Sequence, residues 1–249
     1  MEEKKVSPLY RFIKWIVRRV YPKMDVVGLE HLPDGAAILV GNHCQLHGPI
    51  ACELYLPGNR YTWCAGQMME WKEVPGYAYQ DFWSQKPRRV RWLYKIASYL
   101  IAPLSVLLFN NANTIPVYHD RRVLSTFRET VKRLKTGAHI VIFPEHDVPH
   151  NHILCEFQEN FVDVARLYCR RSGQPLPFVP MYIAPRLHKM CLGEPVYFDP
   201  EAPIDQERTR ICTELMDRIT VMACALPEHT VVPYRNIPKK NYPSNLTQR

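Results

Sequence analysis

Glycine is scarce in this chain of 249 residues: ten glycines stand against 22 prolines. That reverses ordinary usage and predicts stiff, proline-set connections in place of glycine turns. Also missing is any disulfide pattern. The eight cysteines, at 44, 52, 64, 155, 169, 191, 212 and 224, contain no C-x-x-C pair and no even spacing, which excludes a disulfide scaffold and predicts free thiols in a reducing compartment. The opening MEEKK is acidic as well as basic, and Arg11, Lys14, Arg18 and Arg19 break the apolar residues after it, so a signal peptide is not expected. An uncharged, mostly apolar stretch of 14 residues, Ile96 to Phe109, contains Ser98, Pro103 and Ser105. It falls short of the about 20 residues a spanning helix needs and predicts a buried or interfacial helix. Zinc-finger spacings, aromatic RNA-binding signatures, internal repeats and low-complexity segments are absent as well, and no nucleic-acid partner is expected.

What remains is globular usage: 47% hydrophobic, 22% charged and 11% aromatic residues, enough for one domain with appendages. The net charge of +8 is unevenly placed. Residues 1–23 carry +5, residues 86–95 another +5 and residues 231–249 +4, which leaves −6 for the rest. Basic stretches on a mildly acidic body, two of them holding Trp, Tyr and branched aliphatics, predict contact with an anionic phospholipid surface. The expected location is cytoplasmic, peripheral at the inner face of the membrane.

Leu9, Phe12, Ile13, Ile16, Val17 and Val20 recur at helical spacing opposite Arg11, Lys14, Arg18 and Arg19, so residues 1–25 read as a basic amphipathic helix with Trp15 near its boundary. Strands are expected at Ala36–Val40, Thr114–Tyr118, His139–Phe143, 177–185 and 195–198. Helices are expected from Pro49 to Leu56, Arg122 to Lys135, Glu156 to Arg170 and Ile204 to Ala225. Alternation of this kind predicts an α/β fold, a mostly parallel central sheet flanked by helices over residues 26–230, with a proline-rich basic tail over 231–249. Residues 60–95, rich in Trp and Tyr, would fill core, line an acyl channel or face lipid.

Five of the ten histidines, His43, His47, His146, His150 and His152, fall in two polar segments that each follow a predicted buried strand. Asn42 accompanies the first, Glu145 and Asp147 the second. If the two strands are parallel neighbours, their C-terminal ends converge on one cleft, where α/β folds place chemistry. Histidine is the natural base near neutral pH, and a carboxylate on one ring nitrogen fixes the tautomer that frees the other. A second reading builds a metal-dependent, hydrolase-like site from His43, His47, His146 and His150, although no spacing matches a strong metal motif.

The order of these segments resembles the glycerolipid (lysophospholipid) acyltransferase family. Val27, Gly28, Glu30, Leu32 and Pro33 match its opening strand, Asn42 and His43 its Asn-His motif, and Thr114-Ile115-Pro116-Val117 with Arg121 and Arg122 its second block. Phe143-Pro144-Glu145 is similar to its third block and Phe178-Val179-Pro180-Met181 to its fourth, so the resemblance spans roughly residues 26–185. It implies that His43 is the general base on an acceptor hydroxyl, that the donor is acyl-CoA or acyl-carrier protein, and that no metal or other cofactor takes part. It further implies that Asn42, Arg121, Arg122, Glu145 and His146 lie at the binding site of a lipid-like, phosphate-bearing acceptor. Two departures stand out. Gly48 occupies the place of the family's aspartate, and His146-Asp147-Val148 replaces Gly-Thr-Arg. Asp147 is the expected replacement partner for His43, ahead of His47. A catalytically inactive lipid-binding relative is the third reading.

Overall fold

The computed structural model describes residues 6–84, 87–118 and 120–246. Residues 1–5, Lys86 and residues 247–249, which belong to the three basic stretches read above, lie outside the described residues. In chain order the elements are α1 (Pro8–Val20), β1 (Asp25–Val27), β2 (Ala37–Gly41), α2 (His47–Tyr55), β3 (Arg60–Ala65), α3 (Val74–Ala78), α4 (Arg91–Asn111) and β4 (Thr114–Val117). There follow α5 (Val123–Leu134), β5 (His139–Ile142), β6 (Glu145–Pro149), β7 (Cys155–Phe157), α6 (Asp163–Ser172), β8 (Pro177–Ala184), β9 (Lys189–Leu192), β10 (Val196–Tyr197) and α7 (Ile204–Ala225). The chain divides into two compact units, one of Met1–Tyr21 with Thr62–Glu129, the other of Pro22–Tyr61 with Thr130–Arg249.

The second unit is built on a sheet in the order β1-β9-β8-β2-β5. β1 with β9, β8 with β2 and β2 with β5 are parallel. β9 and β10 both run antiparallel to β8. Every residue of β2, β5 and β8 is buried, which is why these segments read as continuous apolar runs: a parallel strand is covered on both faces. α7 packs on β8 and presents Ile211, Leu215, Ile219 and Ala223 to it at helical spacing. The fold is α/β with a mostly parallel central sheet flanked by helices, as the sequence predicts.

The first unit packs α3 against α4 around Met68, Val74, Ala78 and Ala102. Its strand portion pairs Thr62–Ala65 in parallel with Thr114–Val117. α1 rests on α4, and the Ser7 N–H donates to Asn111 Oδ1 at 2.8 Å. α4 extends further than the uncharged run alone suggests, because the preceding RWLYK joins it in one helix. Residues 88–111 are long and apolar enough to cross a membrane by length and composition, yet little of that stretch is buried. Leu9, Phe12, Trp15, Ile16 and Val20 of α1 are exposed, as are Trp92, Leu93, Ile96, Tyr99, Leu100 and Leu104 of α4. The apolar face predicted for α1 therefore points largely outward.

Two further differences concern segments expected to be irregular. The residues 145–157 form the antiparallel β6–β7 hairpin, which displaces the helix predicted from Glu156 to 163–172. The described part of the tail, through Leu246, belongs to the second unit and is hydrogen-bonded into it. Asn245 is fully buried; its Oδ1 accepts the His229 N–H at 2.8 Å and its Nδ2 donates to the Ala223 carbonyl at 2.9 Å.

Candidate functional site

The C-terminal ends of β8, β2 and β5 lie side by side, with Val40 opposite both Pro180 and Ile142. This adjacency delivers the two histidine-bearing segments to one place. Buried Asn42 completes β2 with its side chain, donating through Nδ2 to the Ile183 carbonyl at 3.0 Å and accepting the Ile183 N–H at Oδ1 at 2.7 Å. An amide side chain thereby satisfies a donor and an acceptor at the end of β8, where unpaired buried backbone groups would be costly.

His43 follows, and its N–H donates to Glu145 Oε2 at 2.6 Å. Glu145 is buried, and its other oxygen accepts the Cys155 N–H at 3.0 Å. One carboxylate thus clamps the loop after β2 to the β6–β7 hairpin. Burial pushes the Glu145 carboxyl up to about 7, against the pull of those two backbone donors. The His43 ring sits edge-on to Phe143 at 5.2 Å and to Tyr234 at 5.8 Å between centroids. Its Nδ1 is buried without a hydrogen-bond partner among the described residues. Burial lowers the pKa of His43, with smaller opposing effects from the backbone of Gln45 and of His43 itself.

The loop turns through two consecutive left-handed residues, Cys44 at φ 49° and Gln45 at φ 57°. Each carries a cost of about 1–3 kcal/mol unless its surroundings fix it. Here Cys44 Sγ donates to the Ile183 carbonyl at 3.3 Å, its carbonyl accepts the His47 N–H at 3.0 Å, and Gln45 Nε2 donates to the Tyr242 hydroxyl at 2.8 Å. Gly48 then packs against the loop. A Cβ there would lie 2.6 Å from the His43 carbonyl oxygen and 2.9 Å from the Phe143 ring. Glycine at this position is a packing requirement, and an aspartate does not fit the loop as it stands.

The sequence-predicted residues separate into groups. Asn42, His43 and Glu145 are in contact. Asp147 is exposed on β6 and makes no hydrogen bond to His43 Nδ1; the strand is buried at Glu145 and exposed from Asp147 onward. His146 is half-buried, accepting the Val148 N–H at Nδ1 (3.4 Å), with Nε2 3.7 Å from a Glu156 carboxylate oxygen. His47 opens α2, two residues before the expected Pro49, and its pKa is lowered by burial and then by the charges of Arg186 and Lys239. His150 is exposed, and His152 Nε2 meets the Asn245 carbonyl at 3.0 Å. Among the described residues no three His, Cys, Asp or Glu side chains gather as metal ligands, so the alternative metal site finds no donor set. Burial pushes the Cys52 thiol up to about 12 and the Cys155 thiol to about 11, which leaves neither with nucleophilic thiolate at neutral pH.

Arg121 and Arg122 belong to the first unit. Arg121 is exposed. Arg122 is held between carboxylates, 2.9 Å from Asp120, 3.1 Å from Glu73 and 3.7 Å from Glu70. Its guanidinium also lies 3.9 Å over the Tyr118 ring, whose hydroxyl donates to Glu70 at 3.1 Å. Its charge is already matched inside the protein.

Phe143, quoted above with the third block, and Ile183, Tyr234 and Tyr242, which carry no local signal, complete the site. Ile183 reads as an ordinary strand residue, and the two tyrosines lie in the proline-rich basic tail, where no spacing points to the site.

No family model matches the chain, and no curated protein does. Among solved structures it is similar to the 1-acyl-sn-glycerophosphate (LPA) acyltransferase, PlsC, from Thermotoga maritima, at 14% sequence identity with a TM-score of 0.47. That alignment covers 86% of this chain and 80% of the other.

Proposed function

We propose that the chain is an O-acyltransferase of the glycerolipid type, moving a fatty acyl group from acyl-CoA or acyl-carrier protein to a hydroxyl of a lysophospholipid or related acceptor. The observation that carries the reading is the 2.6 Å hydrogen bond from the His43 N–H to Glu145. It joins the two segments that resemble the first and third blocks of that family, at the C-terminal end of a parallel sheet. His43 takes the acceptor's hydroxyl proton on the imidazole, the oxygen attacks the thioester carbonyl, the C–S bond breaks, and the proton passes to the departing thiolate. Burial keeps the imidazole neutral to lower pH, as a base requires.

The outward apolar faces of α1 and α4, with Arg18 and Arg19 in the last turn of α1, support attachment to an anionic membrane surface at its cytoplasmic side. Apolar residues there bury into the head-group boundary while basic ones remain among phosphates.

The reading is tested by incubating the purified protein with oleoyl-CoA and lysophosphatidic acid and following ester formation and thiol release. Both products should form and both should disappear in His43→Ala; unchanged transfer in that variant sinks the mechanism. One observation favours the second reading, a catalytically inactive lipid-binding relative: no carboxylate reaches His43 Nδ1 among the described residues. Lipid binding without turnover for any donor and acceptor pair would establish it.

A further inference from the structure

Resting on the acyl-transfer reading, we propose that Tyr234 is a positioning residue: carried on the closed loop 229–245, its ring fixes the rotation of the His43 imidazole, a task no carboxylate performs at Nδ1 among the described residues. The backbone of His43 is held by Glu145 and by the Gly48 N–H, which donates to the His43 carbonyl at 3.1 Å. Neither contact sets the ring. Rotation about the last torsion of a histidine side chain is broad and roughly two-fold, so a hydrogen bond or packing must choose between orientations that exchange ring nitrogen with ring carbon. His139, whose buried Nδ1 also lacks a partner among the described residues, is fixed through Nε2, which meets the Pro33 carbonyl at 2.9 Å. At His43 two rings take that part, Phe143 at 66° and Tyr234 at 81° to the imidazole plane. This is the edge-to-face geometry that aromatic pairs prefer.

The loop that carries Tyr234 is held at both ends of its span. Its base is closed by the Asn245 N–H, which donates to the His229 carbonyl at 3.0 Å, by the Val231 N–H, which donates to the Pro243 carbonyl at 2.9 Å, and by the antiparallel bridge between Thr230 and Ser244. The base is also tied to β8. The Pro227 carbonyl, which can only accept, lies 2.8 Å from His229 Nδ1, so in the neutral ring Nδ1 carries the proton. His229 Nε2 then accepts the Tyr182 hydroxyl at 2.8 Å. Tyr182 stands next to Ile183, the residue that both hydrogen bonds of Asn42 hold. Near the tip, the Tyr242 hydroxyl accepts Gln45 Nε2 from the His43 loop itself at 2.8 Å. Pro233, Pro238 and Pro243 remove backbone freedom between these anchors. Tyr234 is therefore presented to His43 from a fixed frame.

The test uses the full chain labelled at histidine and tyrosine, with Tyr234→Leu, which removes the ring but keeps an apolar side chain, and Tyr234→Phe, which keeps the ring. In transfer from oleoyl-CoA to lysophosphatidic acid, Tyr234→Leu should lower kcat by about tenfold or more, since about 1 Å of misplacement at a reacting group costs on the order of 100-fold. KM should stay within about twofold, and Tyr234→Phe should restore the rate. By NMR the His43 ring should give one set of signals in wild type and in Tyr234→Phe, and two sets or exchange-broadened signals in Tyr234→Leu. Unchanged kcat or a single sharp ring set in Tyr234→Leu overturns the proposal. So does an equal loss in Tyr234→Phe, which would assign the effect to the hydroxyl. Nuclear Overhauser contacts between the Tyr234 and His43 ring protons are expected in the wild type, and their absence overturns the proposal whether or not Tyr234→Leu folds. Failure of the acyl-transfer reading is separable: a wild type without turnover but with a Tyr234-dependent ring orientation removes that reading alone. His43-dependent turnover that ignores Tyr234 removes the positioning role alone.

Discussion

The carboxylate of Glu145 accepts the backbone N–H of His43 at 2.6 Å and holds the Cys155 N–H with its other oxygen. It therefore acts on the backbone of the His43 loop and not on the imidazole. Glu145 is a positioning residue: it fixes where the ring stands while leaving its basicity to burial. Glu145→Gln would turn an NH2 toward one of the two N–H groups. We expect a fall in turnover, measured by acyl-transfer rate, because one of the two backbone anchors of the His43 loop is lost. Wild-type turnover in this variant would contradict the clamp.

The clamp also has a pH signature. Burial raises the Glu145 carboxyl from an ordinary 4.5 to about 7, so the folded protein binds more protons than the unfolded chain across that window. The stability from this group is complete below about 4.5 and is lost as pH rises through about 7. The difference is on the order of 3 kcal/mol. His43 runs the other way: its lowered pKa gives stability that is present above 6.5 and lost as pH falls through the folded value. Comparing wild type with Glu145→Gln isolates the first contribution; a difference in unfolding free energy that is flat from pH 4.5 to 7 would exclude it.

The acid limb of the rate profile follows from the same burial. With the pKa of His43 lowered, the rate kcat/KM for lysophosphatidic acid should begin to fall only below pH 6.5. An acid limb centred above 6.5 would mean that another group, or a charge-stabilised imidazole, sets the rate.

Installing the aspartate that the acyltransferase resemblance expects should fail for a steric reason. A Cβ at Gly48 meets the His43 carbonyl oxygen at 2.6 Å, so Gly48→Asp should lower the melting temperature and cost about 1–3 kcal/mol. Gly48→Ala should show most of the same loss, because the clash begins at Cβ. Gain of activity in Gly48→Asp at unchanged stability would overturn this account.

Arg121 and Arg122 should separate under mutation. Arg122→Gln leaves Glu70, Glu73 and Asp120 without their shared cation and should lower the melting temperature slightly, since the site is open to solvent. Arg121→Gln should leave the melting temperature unchanged, because its side chain is exposed. The reverse pattern would mean that the paired arginine is dispensable to the fold.

Attachment to membranes should depend on the outward apolar residues. Replacing Phe12 and Trp15 by Ser should reduce flotation with vesicles containing anionic lipid, and added salt should reduce it further. Undiminished flotation of the variant would remove α1 from the contact.

The core of the fold was legible because its signals are local and redundant. The runs at Ile38–Val40, Ile140–Ile142 and Phe178–Ile183 have the continuous apolar character of covered parallel strands, and Ile204–Ala225 carries helical spacing from Ile211 onward. Asn42, His43 and Glu145 could be named because each follows such a strand. What escaped were relationships made at a distance. Asp147 has the right chemistry to orient His43, but β6 leaves the core after Glu145 and is exposed from Asp147 onward. Tyr234 reaches His43 from 191 residues away, and no periodicity in the tail encodes that return. Gly48 looked like a lost carboxylate, whereas its missing side chain is what lets α2 begin against the His43 carbonyl.

Asn245 ties the chain's last described segment to α7 and to the backbone of His229, while Tyr242 and Tyr234 from the same segment touch the His43 loop. Local opening at one place therefore removes support at the other. The amide of His43, held by Glu145, and the amide of His229, held by Asn245, should behave in native-state hydrogen exchange as members of one cooperative unit, with similar opening free energies and similar dependence on denaturant.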